Sequence, residues 1–285
     1  KILIKIFNTM IFKCLTWNTA KRLKLLDDQF EFIVQTKPDI VALQEITLNT
    51  EQKFKELLHK KFKNVISSFD FVDDKNVLKK NRMFGQLLAT NYSVQSEEPK
   101  CFNIPWKERV LSAKIYVKEK KINFHTTHIP PGSSNGWIKI ETLEGIYKRI
   151  EELKNELNIL CGDFNTPKDE NPKDKVITFA QTIDDFGVVK TKSKFRGGEG
   201  KRWDDGERNI LVGLQKIGIS DSFRKLYSYK KNDFSWEFKN KEKIIRRRFD
   251  HFFASNEIEV ISAEYNHSNN KLSDHSPFIV KYKIS

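Results

Sequence analysis

Cysteine is scarce in this chain: among 285 residues only Cys14, Cys101 and Cys161 occur. An odd, sparse count argues against a disulfide framework and for a reducing, cytoplasmic compartment. Cys14 and Cys161 lie in apolar, strand-like runs, where a free thiol packs as a small hydrophobe. No uninterrupted apolar stretch approaches the ~18 residues of a membrane span, so no stable membrane association is expected. The opening KILIKIFNTMIF is too short and interrupted for a signal-peptide core with its cleavage site. Met10 is read as the natural start and Lys1–Thr9 as upstream or appended sequence. No linker rich in Pro, Gly or Ser divides the chain, and no solenoid repeat is visible. Residues 10–285 are therefore expected to form a single, monomeric domain with a substantial core.

Acid is in deficit. Asp and Glu number 38 against 51 Lys and Arg, a formal charge of +13. That balance suits a polyanionic partner: nucleic acid, an anionic surface or a phosphorylated small molecule. It equally suits a surface merely decorated with lysine.

What the chain does have is a succession of periodic segments. Ile11–Trp17 reads as a buried strand and Lys21–Thr36 as a helix with an apolar stripe, broken by Pro38. Asp39–Gln44 is a short apolar strand, and Thr50 is placed to cap a helix running to Phe62. Gly85–Thr90, Val110–Val117 and Lys121–Thr127 read as strands, Trp137–Asn155 as an amphipathic helix and Asn158–Cys161 as a strand. Lys190–Asp205 is basic and aperiodic and is expected to be a long surface loop, with helix following over Asn209–Gly218. Asp233–Phe238, Arg248–Ala254, Glu257–Tyr265 and Phe278–Lys283 read as strands. Alternation early and strands late suggest α/β or α+β layers.

Several apolar strands end on a residue able to ligate metal or move protons. FKCLTW ends at Asn18, DIVALQ at Glu45, INFHTT at His128 and NILCG at Asp163, with Asn165 two residues on. RRRF leads to Asp250 and His251, and Leu272-Ser273 precedes Asp274-His275. Neighbouring strands bring their ends to one edge, and carboxylates that converge repel unless a cation neutralises them or some are protonated. Oxygen donors without a Cys/His set at zinc spacing favour Mg²⁺, or Mn²⁺. Each residue also has a plainer reading. Asn18 suits a helix N-cap, Glu45 a solvated loop acid, GDFNTP a tight turn and His128 a hydrogen-bonded structural residue.

Taken in order, these segments resemble the endonuclease/exonuclease/phosphatase superfamily, which includes exonuclease III, abasic-site endonucleases, deoxyribonuclease I, bacterial sphingomyelinases and inositol-polyphosphate phosphatases. The similarity rests on TWN at Thr16–Asn18, DIVALQE at Asp39–Glu45, TTHIPPG at Thr126–Gly132, GDFNTP at Gly162–Pro167, RRFDHFFAS at Arg247–Ser255 and LSDHSP at Leu272–Pro277. It implies a four-layer sandwich of two packed, mixed and mostly antiparallel sheets flanked by helices. It implies metal ligation by Glu45 and Asp274, with Asn18 assisting. Asp163 and Asn165 would orient or activate water. His275, its tautomer fixed by Asp250, would contact the scissile phosphate, and His128 would hydrogen-bond it or protonate the leaving oxygen. Exonuclease III and the abasic-site enzymes carry tyrosine where this chain has His128, whereas the other branches carry histidine.

The substrate is less legible. Phe234-Ser235-Trp236 resembles the aromatic segment of abasic-site enzymes, so Trp236 is a candidate base or gap contact, or else a core residue on an alternating strand. Lys239–Arg248, with six basic residues and one acid, either borders the cleft or forms a solvated hairpin. Arg109 and the basic Lys190–Arg202 loop are further substrate-binding candidates. DNA is the expected partner and repair-type nuclease the leading function. A phosphatase or phosphodiesterase for inositol phosphates, sphingolipid or another small molecule is the alternative, and a non-catalytic DNA-binding module the third.

Overall fold

Strands buried on both faces need apolar residues at nearly every position, and the chain's central strands have them. In the computed structural model, which describes residues 9–240, 242–268 and 271–285, they form two six-stranded sheets. The expected upstream segment, apart from Thr9, and Lys241 of the basic run lie outside the described residues. The first sheet contains β1 (Met10–Asn18), β2 (Ile40–Ile46), β3 (Asn64–Ser67) and β4 (Gly85–Thr90). The second contains β5 (Ser93–Glu97), β6 (Val110–Val117), β7 (Lys120–His128), β8 (Asn158–Asp163), β9 (Ile219–Asp221) and β10 (Asp250–Ser255). The chain then returns to the first sheet with β11 (Glu259–Tyr265) and β12 (Phe278–Ile284). Strand orders are β11-β12-β1-β2-β4-β3 and β9-β10-β8-β7-β6-β5. One parallel pair lies at the heart of each sheet, β1 with β2 and β7 with β8; the other pairs are antiparallel.

The period-two alternation of side chains sorts each strand between two cores. Phe12 and Cys14 of β1 and Ile40 and Ala42 of β2 enter the seam between the sheets, where Ile159 and Cys161 of β8 meet them. Leu15, Trp17, Val41 and Leu43 face outward beneath α1 (Leu26–Thr36) and α2 (Leu48–His59). On the far side, Leu160 and Phe253 pack under α3 (Ile138–Glu152) and α4 (Gly200–Leu211). The result is the expected four-layer order of helix, sheet, sheet, helix. Among the described residues no helix is long and apolar enough to cross a membrane.

Four local expectations are corrected. The first helix starts at Leu26 after a 3-10 turn, because Ala20 and Lys21 adopt left-handed backbone that cannot continue a helix. Its neighbour α2 is capped by Thr47, whose backbone N–H donates to the Thr50 hydroxyl in a capping box. Lys190–Asp205 is not a long loop: it holds short paired strands and the start of α4, with Trp203 fully buried. The helical stripe there is thin (Trp203, Ile210, Leu211), and the buried Asp204 and Glu207 interrupt it, so hydropathy alone hides it. Asn209–Gly218 likewise divides between the end of α4 and a 3-10 turn, Gly213–Ile217.

Candidate active site

Strand register brings the site together. On the second sheet His128 is paired with Asp163, and Asp163 with Asp250, so the ends of β7, β8 and β10 present three polar residues in one row. Gly162 makes that row possible. Its φ is +126°, and a Cβ there would stand 2.0 Å from the Thr127 carbonyl oxygen, so no larger residue lets β8 approach β7 as closely. On the first sheet the β2–β4 register shifts between Leu43 and Ile46, and Glu45 takes a left-handed φ of +57°. A bulge of this kind re-aims a side chain, and it turns the Glu45 carboxylate to the end of β1.

Asn18 joins the two sheets. Its Nδ2 donates to Glu45 Oε1 (3.1 Å) and to Asp163 Oδ2 (2.9 Å), while its Oδ1 accepts from the Ala20 backbone (2.9 Å). It caps no helix, since the cap of α1 is Leu25. Asp163 Oδ1 accepts the Asn165 backbone N–H at 2.8 Å; Asn165 is left-handed, with φ +50°. Its side-chain amide donates to Ile129 O at 2.9 Å.

His275 reaches the site from the loop between β11 and β12. Its Nδ1 meets Asp250 Oδ2 at 2.7 Å, and its Nε2 lies 3.8 Å from Asp163 Oδ2. The loop is stitched to β1: Trp17 Nε1 donates to His275 O (2.8 Å), and Ser273 Oγ donates to Asn18 O (2.7 Å). Asp274, at the mouth, accepts from Trp236 Nε1 at 3.2 Å.

Burial and charge then set protonation. Burial pushes the Asp163 carboxyl up, with His275 pulling the other way. It also raises Glu45, again offset in part by His275. Burial would depress His275, but Asp250 and then Asp163 outweigh it and hold the imidazole well above its ordinary range. His128 behaves oppositely: burial first, and Arg109 second, keep it well below its ordinary value. Arg109 Nη1 stands 2.7 Å from His128 Nδ1. A guanidinium only donates, so Nδ1 accepts and the proton sits on Nε2. That nitrogen is buried without a hydrogen-bond partner and points between Asp163 Oδ2 (3.6 Å) and Glu45 Oε1 (3.8 Å).

These donors suit a hard cation. Single ligand atoms of Glu45, His128 and Asp163 lie within 4.8 Å of one another, and so do those of Asp163, Asp250 and His275. Both imidazoles are already committed, His128 by its Nε2–H and His275 by Asp250, which leaves carboxylate and amide oxygens, the ligands of Mg²⁺. Asp274 is outside those two groups, but it faces Glu45 across a cavity of about 430 Å³ lined also by Ala20, Lys21 and Arg22.

The active-site cleft, about 350 Å³, is lined by Glu45, Asp163, Asn165 and His275 together with Trp236, Phe249 and Arg247 among others, and Trp236 is bridged through its backbone to His275. Of the basic run, Arg247 borders this cleft, whereas Arg248 is buried against Glu170 and Asp221. Arg109 requires a correction. It is 1% exposed, stacked near Phe84 and Trp106 and bonded to His128 and the Asn81 carbonyl, so it holds His128 rather than touching a substrate. Sequence reasoning missed Lys139. Buried on α3 beside the apolar stripe, it donates to the Asn165 carbonyl (2.8 Å) and to Glu207 (2.6 Å), and its only signal was a lysine adjoining a strongly amphipathic face.

Residues 15–275 match the model of the endonuclease/exonuclease/phosphatase family. The chain belongs to this family. Comparison with curated proteins returns no match. An AP endonuclease from Archaeoglobus fulgidus is similar over 94% of this chain and 98% of its own, with a TM-score of 0.66 and 20% identity. D. rerio TDP2 complexed with single strand DNA product is similar over 95% and 98%, with a TM-score of 0.64 and 15% identity. A 3′ phosphatase, NExo from Neisseria, bound to product DNA hairpin, is similar over 94% and 98%, with a TM-score of 0.64 and 18% identity. As an endonuclease/exonuclease/phosphatase enzyme, the chain is a metal-dependent hydrolase of phosphoester bonds.

Proposed function

We propose that the protein is a Mg²⁺-dependent DNA nuclease of repair type, acting at abasic or nicked sites or trimming 3′ ends. The observation that carries this reading is the cleft itself: Trp236 and Arg247 line it together with Asp163 and His275, and Trp236 is bridged through its backbone to His275. An indole at the mouth can stack on a base or fill a gap, and a guanidinium can hold a phosphate. The DNA-bound structures of similar fold support the same reading.

Glu45 and Asp274, with Asn18 assisting, would hold the cation, whose charge offsets that of the phosphodiester and polarises its oxygen. Asp163, held high by burial and fixed by Asn18 and Asn165, takes a proton from the attacking water. His275, kept protonated by Asp250, donates to charge developing on the phosphate and leaving oxygen. His128, neutral with its proton on Nε2, hydrogen-bonds a phosphate oxygen. The second reading, a small phosphorylated substrate, is favoured by His128 itself, which stands where abasic-site enzymes carry tyrosine.

The test is turnover with Mg²⁺ on an abasic duplex, supercoiled plasmid, inositol phosphates and sphingomyelin. DNA cleavage is expected. Activity confined to the last two substrates overturns the nuclease reading in favour of the second.

A further inference from the structure

One hairpin carries its apolar residues outward. The segments Gln181–Ile183 and Val189–Thr191 pair as a short antiparallel ribbon. At its tip Phe186 is 91% exposed, with Ile183 and Val188 also exposed beside it. An isolated exposed apolar residue is ordinary, but this tip is built. Asp184 Oδ1 accepts from the backbone N–H groups of Phe186 (3.1 Å) and Val188 (2.9 Å). Gly187 adopts the left-handed φ of +74° that the turn requires, and Lys173 Nζ donates to its carbonyl. The ring is thus held out to solvent by an ordered turn, which lowers the entropy lost when it meets a partner.

The feet of the hairpin stand in the cleft wall. Phe179 and Arg196, just outside the two strands, both line the active-site cleft, and Lys192 N donates to Ala180 O across the base. Phe186 is seven residues from Phe179, so it lies within ~25 Å of the cleft by chain reach, or about seven nucleotide steps along a strand. From Lys173 to Arg196 the chain carries six basic and three acidic residues, a surface suited to a polyanion. A bilayer suits it less, because Asp184 and Asp185 adjoin Phe186 and would be carried into the interface with it.

We propose that this hairpin is a nucleic-acid arm: Phe186 stacks on a base of the strand leaving the cleft, and the flanking lysines hold its phosphates. The inference rests on the nuclease reading above. It is tested with Phe186→Ala and Phe186→Trp on two substrates, an abasic duplex whose lesion strand continues, a few base pairs past the lesion, into a single-stranded tail of about ten nucleotides and bis(p-nitrophenyl) phosphate. Phe186→Ala should raise KM on the duplex about tenfold, leave hydrolysis of the small ester and thermal stability unchanged, and be rescued by Phe186→Trp. Wild-type KM on the duplex in Phe186→Ala overturns the arm alone, as does loss of binding to phosphatidylserine vesicles with DNA handling intact. A wild-type protein that hydrolyses the small ester but no DNA overturns the nuclease reading and the arm with it.

Discussion

Arg109 Nη1 lies 2.7 Å from His128 Nδ1, and the contact dictates which nitrogen of the imidazole carries the proton. Arg109→Ala frees Nδ1 to be protonated and leaves the buried His128 imidazole short of a donor. A fall in kcat of roughly 10- to 100-fold is expected, with little change in KM, together with about 1–3 kcal/mol of stability. Steady-state kinetics and the ¹⁵N shifts of His128 check it. An unchanged Nε2–H tautomer in the variant would show that Arg109 does not set it.

Asp250 does for His275 the opposite of what Arg109 does for His128. The carboxylate at 2.7 Å keeps the imidazole protonated despite its burial. Asp250→Asn removes that support, so the His275 pKa should fall and the alkaline limb of the kcat profile should move to lower pH. A loss of about 10²–10⁴ in kcat is expected. A pH–rate profile of the variant that superimposes on wild type after scaling would refute the pairing.

Below the site, Glu170 is gripped by Arg224 (2.8 Å) and Arg248 (2.7 Å), and Arg248 also meets Asp221 (2.7 Å). Burial alone would raise Glu170, but Arg248 and Arg224 overcome it and hold the carboxyl at about 2 instead of 4.5. A depressed folded pKa contributes stability above the unfolded value, lost as pH falls through the folded one. Stability should therefore decline between about pH 4.5 and 2, by roughly 3 kcal/mol from this residue. Glu170→Gln should be less stable at pH 7 by a similar amount and show a flatter acid limb, read by urea unfolding across that range.

Chelation should abolish turnover without unfolding the protein, and Mg²⁺ should restore it. Because a ligand that binds only the folded state stabilises it, Mg²⁺ at 100 times its Kd should add about 2.7 kcal/mol. Glu45→Gln and Asp274→Asn should each weaken that thermal shift. A shift of wild-type size in both variants would place the cation elsewhere.

Much of the site was legible because a strand end is marked by both pattern and position. Asn18, Glu45, His128, Asp163 and Asp250 close or open apolar runs, and parallel or antiparallel register aligns them. The bulge that re-aims Glu45 was not legible, since a one-residue shift in pairing leaves no compositional trace. Lys139 was hidden for a different reason: lysine beside an apolar stripe reads as a solvated flank, and its burial is made tolerable by distant partners, Glu207, 68 residues away, and the Asn165 carbonyl. For Arg109 the position was noticed but not its use, because the partner that occupies it is brought alongside by β6–β7 pairing.

Two of the hydrogen bonds that define the site cross the seam between the sheets: Asn18 to Asp163, and His275 to Asp250. The constellation therefore works as a calliper on the distance between the two sheets. A slip of an ångström at Cys14 or Cys161, deep in that seam, would open both jaws while leaving every strand and helix intact. On gentle heating or in dilute denaturant, catalysis should fade ahead of the far-ultraviolet circular dichroism signal, making turnover the more sensitive gauge of how the halves are seated.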